Sequence, residues 1–261
     1  MSMLSQRFLD DLSQVKPPFD CSPSLPPAAY HDPGVLAAEN AAIFSKGWVG
    51  LGRADRWKAP GDFSTNEVAG VPVAVLRDKQ GVLRAYANTC RHRGAKLLEG
   101  CGTVQRITCP FHAWTYGLDG ALRGAPRMGH AVDFDTDEFG LKAFRAEERD
   151  GFAFLCMDDT TAGIDSWLGD FSAVHAPWPL DSLVTTRRRE LEVGCNWKLF
   201  LEVFNEYYHL PYVHGGTFGT IYGEPDPADD VTGAFTTQFG LTKGTGGLKE
   251  DEQTHTLPSI P

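Results

Sequence analysis

The sequence predicts an α+β chain in which a small antiparallel β-domain is followed by a more helical region. Three observations carry that expectation. Short apolar runs separated by turn signals crowd residues 48–157. A long, mostly apolar helical run fills Asn196–Leu210, and an Ala-rich helical segment precedes the strands.

Taken in order, residues 1–30 read as an irregular arm with scattered prolines. Asp32-Pro33 supplies an N-cap followed by proline in the first turn, where its missing N–H costs nothing. The helix runs over Gly34–Phe44, and Gly47 ends it. Strands are expected at Trp48–Gly52, Glu67–Val68, Val71–Leu76, Val82–Ala87, Thr103–Thr108 and Ala113–Tyr116. Ala69-Gly70, Asp78–Gly81 and Asp119-Gly120 separate them as turns. The Phe152–Met157 run is nearly all apolar, so burial on both faces is expected. Short helical pieces with prolines follow over 160–182. An exposed strand is then expected at Thr185–Gly194, opening on Arg187, Arg188 and Arg189. Residues 215–261 are rich in Gly, Thr and Asp and have little periodicity. The chain thus divides into an N-terminal arm and helix (1–45), a β-domain (46–158) and an α+β region (159–261), with the arm packing on the last. No internal repeat or low-complexity linker interrupts it.

Composition narrows the function classes. The chain has 261 residues, 42% hydrophobic and 22% charged, which are ordinary globular values. The formal net charge of -10 argues against a nucleic-acid partner and permits docking with a basic redox partner. No apolar run approaches the roughly 18 residues of a membrane span. The start lacks a basic end and an apolar centre, so no signal peptide is read and a cytoplasmic address is expected. In such a compartment the six cysteines are thiols or metal ligands. Cys156 and Cys195 are expected to be buried free thiols, and Cys101 a core or loop thiol.

Two cysteines stand in a motif with two histidines. Cys90-Arg91-His92-Arg93-Gly94 is followed, after a gap, by Cys109-Pro110-Phe111-His112-Ala113-Trp114. Each half offers one thiolate and one imidazole on a tight loop. A [2Fe–2S] cluster with two Cys on one iron and two His on the other needs this alternation, because each loop must feed both irons. Gly94 and Pro110 suit tight loops whose N–H groups point at sulfides, and Arg91 and Arg93 add positive potential. The competing structure is a Cys₂His₂ zinc site, but zinc fingers usually pair Cys with Cys and His with His. Cys90, His92, Cys109 and His112 are therefore the candidate cluster ligands.

These loops, set among short strands, resemble a Rieske domain. Such domains occur in ring-hydroxylating oxygenases, Rieske ferredoxins and respiratory complexes. The respiratory type carries a loop disulfide, and Cys101 lacks a partner in the second loop. The resemblance is thus to the ferredoxin or oxygenase type.

A second constellation separates those two. In the run Asn196–Leu210, Glu202, Asn205, Glu206 and His209 fall on one helical face, and the bulky apolar residues should bury most of the rest. A carboxylate stripe on a buried helix is costly unless paired or near a metal. Pro211 is expected to break the helix, letting His214 turn back towards His209. The pattern begins a 2-His-1-carboxylate site for non-haem Fe(II). The stretch Asn196–His214 resembles the iron-binding helix of Rieske oxygenase α subunits. That resemblance implies His209 and His214 as iron ligands. It makes Glu206 the acid that links the iron's histidine to a Rieske histidine of a neighbouring subunit.

The resemblance also implies a Rieske domain joined to an incomplete helix-grip (START-like) catalytic α+β domain. It implies a [2Fe–2S] cluster, a mononuclear Fe(II) and a flavin- or ferredoxin-type reductase drawing on NAD(P)H. It further implies O₂ as co-substrate, a homotrimer, and mono- or dioxygenation of a small organic substrate. The Asn-Glu-Tyr-Tyr-His-x₄-His form resembles branches acting on quaternary amines such as betaine or carnitine, with aromatic compounds the other class. In the family the third iron ligand is an acid far downstream, so a C-terminally truncated chain is expected. Asp226, Asp229, Asp230, Glu250 and Asp251 lie in no matching context. The alternative is a Rieske-type electron carrier without catalysis, which leaves Glu206 and His209 unexplained.

Overall fold

The computed structural model describes residues 4–16, 21–216, 222–225, 231–237 and 240–242. The described parts of 37–164 and 179–188 form one compact unit, and those of 1–36, 165–178 and 189–261 another.

The first unit is built on antiparallel strands. Its larger sheet has seven: β1 (Val49–Arg53), β2 (Asp62–Val68), β3 (Val71–Arg77), β4 (Leu83–Ala87), β5 (Cys101–Thr103), β9 (Ala143–Arg149) and β10 (Phe152–Cys156), in the order β1-β10-β9-β4-β3-β2-β5. Three short strands, β6 (Ile107–Thr108), β7 (Thr115–Tyr116) and β8 (Leu122–Gly124), make a second sheet. Two hairpins explain the register. Ala69 (φ 51°) and Gly70 (φ 78°) join β2 to β3, and Asp150 (φ 49°) and Gly151 (φ 74°) join β9 to β10. Positive φ at both loop residues is the type I′ turn, whose twist matches that of the flanking strands. The turn at Ala69-Gly70 was legible in the sequence. The Asp-Gly pair before β10 carries the same signal and marks β9, a strand the periodicity reading misses.

Side-chain alternation splits the core in two. Trp57, Val73, Val75, Ala85, Ala153 and Leu155 are buried on one side of the large sheet. Leu76, Tyr86, Ile107, Trp114 and Tyr116 form the other cluster, which also encloses Cys90 and Cys109. Leu76 and Ile107 are fully buried, and each such aliphatic chain contributes about 1.5–3 kcal/mol. The two motif cysteines are thus anchored in a packed core.

Several expectations are corrected. The strand expected at Thr103–Thr108 is divided between β5 and β6, because its halves pair with different partners, β2 and β7. No strand forms over Thr185–Gly194. Thr185 is instead tied by its backbone N–H (2.6 Å) and its hydroxyl (2.8 Å) to the Asp55 carboxylate. β10 is buried on one face and, apart from the buried Cys156, half-buried on the other. Ala153 and Leu155 are covered, whereas Phe152 and Phe154 are half-buried, with the Arg53 guanidinium 4.7 Å from the Phe152 ring centre. Cys156 is buried, but Cys195 lies exposed in a bend outside the sheets.

In the second unit, α1 (Gln6–Leu12) is capped by Ser5, and Phe8 packs with Ala29 of α2 (Ala28–His31) and with Val35. The helix α3 (Pro33–Glu39) starts as expected, with the Asp32 carboxylate accepting from Gly34 N at 2.7 Å. It passes into a wider turn over Asn40–Phe44. After α4 (Ile164–Leu168) and α5 (Phe171–His175), the α6 helix covers only Trp197–Phe204, and α7 covers Leu210–Val213. Among the described residues no helix is long and apolar enough to cross a membrane.

Candidate metal centres

The two Cys/His loops share one backbone plan. In the first, Cys90 N donates to Ala95 O (2.8 Å) and Gly94 N to Cys90 O (2.9 Å). In the second, Cys109 N donates to Trp114 O (2.8 Å) and Ala113 N to Cys109 O (3.0 Å). The fourth residue after each cysteine is left-handed: Gly94 at φ 72° and Ala113 at φ 58°. Glycine meets that demand freely, whereas alanine there carries strain of order 1 kcal/mol. The repeat explains the unequal Cys–His spacings. The loops are equivalent in hydrogen bonding, and the histidine takes the second position of one and the third of the other.

Chemistry is sorted by depth. Cys90 and Cys109 are 4% and 2% exposed. His92 and His112 lie at the surface with ring centres 4.7 Å apart. His92 stacks on Trp114 (4.9 Å, 10° between planes), so a buried indole fixes that imidazole. The exposed Phe111 lies beside His112, and Arg93 lies 5.9 Å from its ring centre. Among the described residues no three Cys, His, Asp or Glu side chains converge on one point. Each iron of a [2Fe–2S] cluster takes only two protein ligands. A thiolate pair inside and an imidazole pair outside fit such a cluster.

One residue was missed in the sequence. The Tyr116 hydroxyl lies 3.3 Å from Cys90 Sγ and accepts a hydrogen bond from Arg91 N at 3.0 Å. With its lone pair engaged, its own hydrogen is available to the sulfur. Burial and the contact with Cys90 push the phenol up from its ordinary value, so it remains a donor. The available signal was strand alternation, which puts Tyr116 on the same side as Trp114.

The second constellation is arranged differently from the expectation. The helix expected over Asn196–Leu210 stops at Phe204, so Glu202, Asn205, Glu206 and His209 share no helical face. The Glu206 side chain provides the reason. One oxygen accepts from His209 N at 3.0 Å and the other pairs with His209 Nδ1. These local bonds offer the backbone an alternative to the helical ladder. Pro211 does not break a helix. It sits in the first turn of α7, where proline is tolerated. His209 and His214 cap the two ends of α7, with ring centres 5.4 Å apart. Burial is also reversed. Leu199, Phe200, Leu201, Val203 and Phe204 are 45–66% exposed, and Lys198 alone is buried on α6. An apolar helix needs cover, and the cover is not among the described residues. Glu202 is taken instead by the Tyr30 hydroxyl at 2.8 Å.

Glu206 holds His209 through Nδ1, which leaves Nε2 as the ring nitrogen open to another partner. Burial pushes the Glu206 carboxyl up, but the His209 bonds outweigh it and hold it below its ordinary value. Two imidazoles and an orienting carboxylate fit part of a facial iron site. Asp226, Asp229, Asp230, Glu250 and Asp251 lie outside the described residues.

Paired loops with buried thiolates and outward imidazoles define the class, an iron–sulfur protein with a Rieske-type cradle. The Rieske [2Fe-2S] domain family matches residues 47–144, and the ring hydroxylating alpha subunit (catalytic domain) family matches 180–257. The glycine betaine monooxygenase oxygenase subunit of Chromohalobacter salexigens is 35% identical over 79% of this chain and 46% of its own length. The carnitine monooxygenase oxygenase subunit of Acinetobacter pittii is 34% identical over 76% and 54%. A crystal structure of a quaternary ammonium Rieske monooxygenase in complex with L-carnitine is similar at 32% identity and TM-score 0.71, over 77% of this chain and 57% of that one. The chain belongs to the Rieske non-haem iron oxygenase α subunits, a family that carries a Rieske cluster and a mononuclear iron. It spans about half the length of the relatives it matches.

Proposed function

We propose that this chain serves the oxygenase component of a two-iron-centre system that hydroxylates, and thereby demethylates or cleaves, a quaternary ammonium compound. Residues 46–158 form the Rieske domain in this reading, and 159–261 begin the catalytic domain. Cys90 and Cys109 hold the inner iron of the cluster and His92 and His112 the outer one. His209 and His214 hold the mononuclear iron. When bound, these groups supply single-electron transfer and activation of O₂.

The chain's own residues do the rest. Trp114 fixes the His92 plane, and Tyr116 donates towards Cys90 and so stabilises a more negative cluster. Glu206 sets the His209 tautomer by accepting the hydrogen bond from Nδ1–H, which leaves the Nε2 lone pair free for the metal. A carboxylate at that position also suits contact with a Rieske histidine of a second subunit. The family reading therefore extends to a homotrimer, with a reductase as the source of electrons.

The observation that carries the oxygenase reading over a simple electron carrier is the Glu206–His209–His214 arrangement, which a carrier does not need. The substrates named for the relatives favour a quaternary amine. The test measures iron, acid-labile sulfide and O₂ uptake on anaerobically purified protein supplied with a reductase and NADH. Uptake accelerated by betaine or carnitine supports the reading. Acceleration only by aromatic compounds overturns the substrate class, and a reducible cluster without substrate-dependent uptake overturns the oxygenase assignment.

A further inference from the structure

The Rieske-type unit carries a second surface feature, whose lining includes neither His92 nor His112. A groove of about 760 Å³ lies between three separate segments of the unit. Lys79 comes from the β3–β4 turn, Gln105 and Arg106 from the bend between β5 and β6, and Arg123 from β8. Asp119 is the only acid in its wall and is paired with Arg123. Lys79 and Arg106 are exposed, and neither has an ion-pair partner among the described residues. The groove is therefore locally positive on a chain whose formal net charge is -10.

The cations stand on rigid mounts. Asp78 is fully buried and accepts from Gln80 N (2.9 Å), Val82 N (2.8 Å) and Arg84 Nε (2.8 Å), which fixes the turn bearing Lys79. Arg106 directly precedes the fully buried Ile107. The anchored turn and strand mean that little backbone entropy is lost when these cations meet a partner. The groove's inner wall includes Tyr116, whose hydroxyl lies 3.3 Å from Cys90 Sγ. The groove is thus lined by a residue whose buried hydroxyl contacts the cysteine sulfur.

We propose that this groove is the docking face for an acidic one-electron donor protein, and that electrons enter on the cysteine side past Tyr116. This rests on the reading of Cys90, His92, Cys109 and His112 as cluster ligands. One electron leaves the donor's reduced [2Fe–2S] centre and reduces the Rieske cluster, and no covalent bond forms or breaks. The direction is downhill, since replacing two thiolates by neutral imidazoles raises the potential of a Rieske centre above that of an all-cysteine ferredoxin cluster. Positive patches on an acidic molecule also orient the encounter, because a negative donor is repelled by the acidic remainder and drawn to the basic grooves.

A second groove supplies the control. It is lined by Arg53, Arg56, Lys58, Arg187 and Arg188 with Asp55, is more basic, and does not include Tyr116. The experiment mixes the cluster-loaded full chain with a reduced, acidic plant-type ferredoxin in a stopped-flow instrument at several salt concentrations. It also measures the Kd for the oxidised ferredoxin by calorimetry. The Lys79→Glu/Arg106→Glu double variant should lower the second-order rate, and weaken binding, by about tenfold or more at low salt. The difference should fade as salt rises, while the cluster's absorption and its reduction by dithionite are unchanged. An unchanged rate and Kd, or a loss seen only in Lys58→Glu/Arg187→Glu, overturns the docking face. Failure of the unmodified chain to form a cluster reducible by dithionite overturns the ligand reading beneath it.

Discussion

Replacing Tyr116 by Phe removes one hydroxyl from a fully buried side chain and leaves the ring in place. Two contacts are lost, the one to Cys90 Sγ (3.3 Å) and the one from Arg91 N (3.0 Å). The first sets the expected redox effect. A reduced cluster carries one more negative charge, so a donor to its sulfur binds the reduced form more strongly. Neutral hydrogen bonds contribute near 1 kcal/mol and those to charged groups about 1.5–3, so the differential is roughly 1 kcal/mol. With 1.36 kcal/mol per tenfold and 59 mV per tenfold for one electron, the midpoint potential should fall by about 40 mV. The second contact sets the stability effect. Arg91 is exposed, so water replaces the lost acceptor, and unfolding free energy should fall by only about 1 kcal/mol. Spectroelectrochemical titration of variant and wild type in one buffer reads the potential directly. A potential within about 10 mV of wild type, with intact cluster absorption, would refute the claim that this hydroxyl donates to the sulfur.

Further expectations concern the loops, their mount and the iron histidine. Cys109→Ser or His92→Ala should abolish the cluster's visible absorption, and retained colour would reject the ligand assignment. Ala113→Val should destabilise by about 1–3 kcal/mol through its positive φ, while Ala113→Gly should be neutral or slightly stabilising; denaturant titration distinguishes them. Asp78→Ala should cost about 2–4 kcal/mol, since two backbone N–H groups lose their acceptor while the half-exposed Arg84 returns to water. Burial raises the Asp78 pKa, but Arg84, Val82 and Gln80 outweigh it and leave it below the ordinary value. Its stabilisation is therefore present above the unfolded pKa near 3.9 and is lost as pH falls through the folded value. Asp78→Asn should flatten the acid limb of stability against pH, and an unchanged slope there would reject the pairing. Glu206→Gln should weaken Fe(II) binding by about tenfold or more without altering the Rieske absorption, and equal affinity would show that the His209 contact does not orient the ring.

The sequence by itself determined what depends on short stretches of chain. The Cys90-x-His92 and Cys109-x-x-His112 spacings, the Ala69-Gly70 turn and the Asp32 cap each follow from covalent geometry or local hydrogen bonding. They stand in the structure where the sequence puts them. The helix at Asn196–Leu210 failed because its periodicity competes with a side chain. Glu206 satisfies His209 locally, and propensity alone does not weigh that bond. Burial was beyond local reading. The apolar face of α6 is exposed and Lys198 is covered, while Thr185–Gly194 has the look of a strand but no ladder partner among the described residues. Only the tertiary structure put the thiolates inside and the imidazoles outside, set Tyr116 against Cys90, and gathered Lys79, Arg106 and Arg123 around one groove. Those juxtapositions join residues far apart in sequence. What joins them is strand order and core packing, which depend on the whole chain's contacts, whereas a motif depends only on its own few bonds.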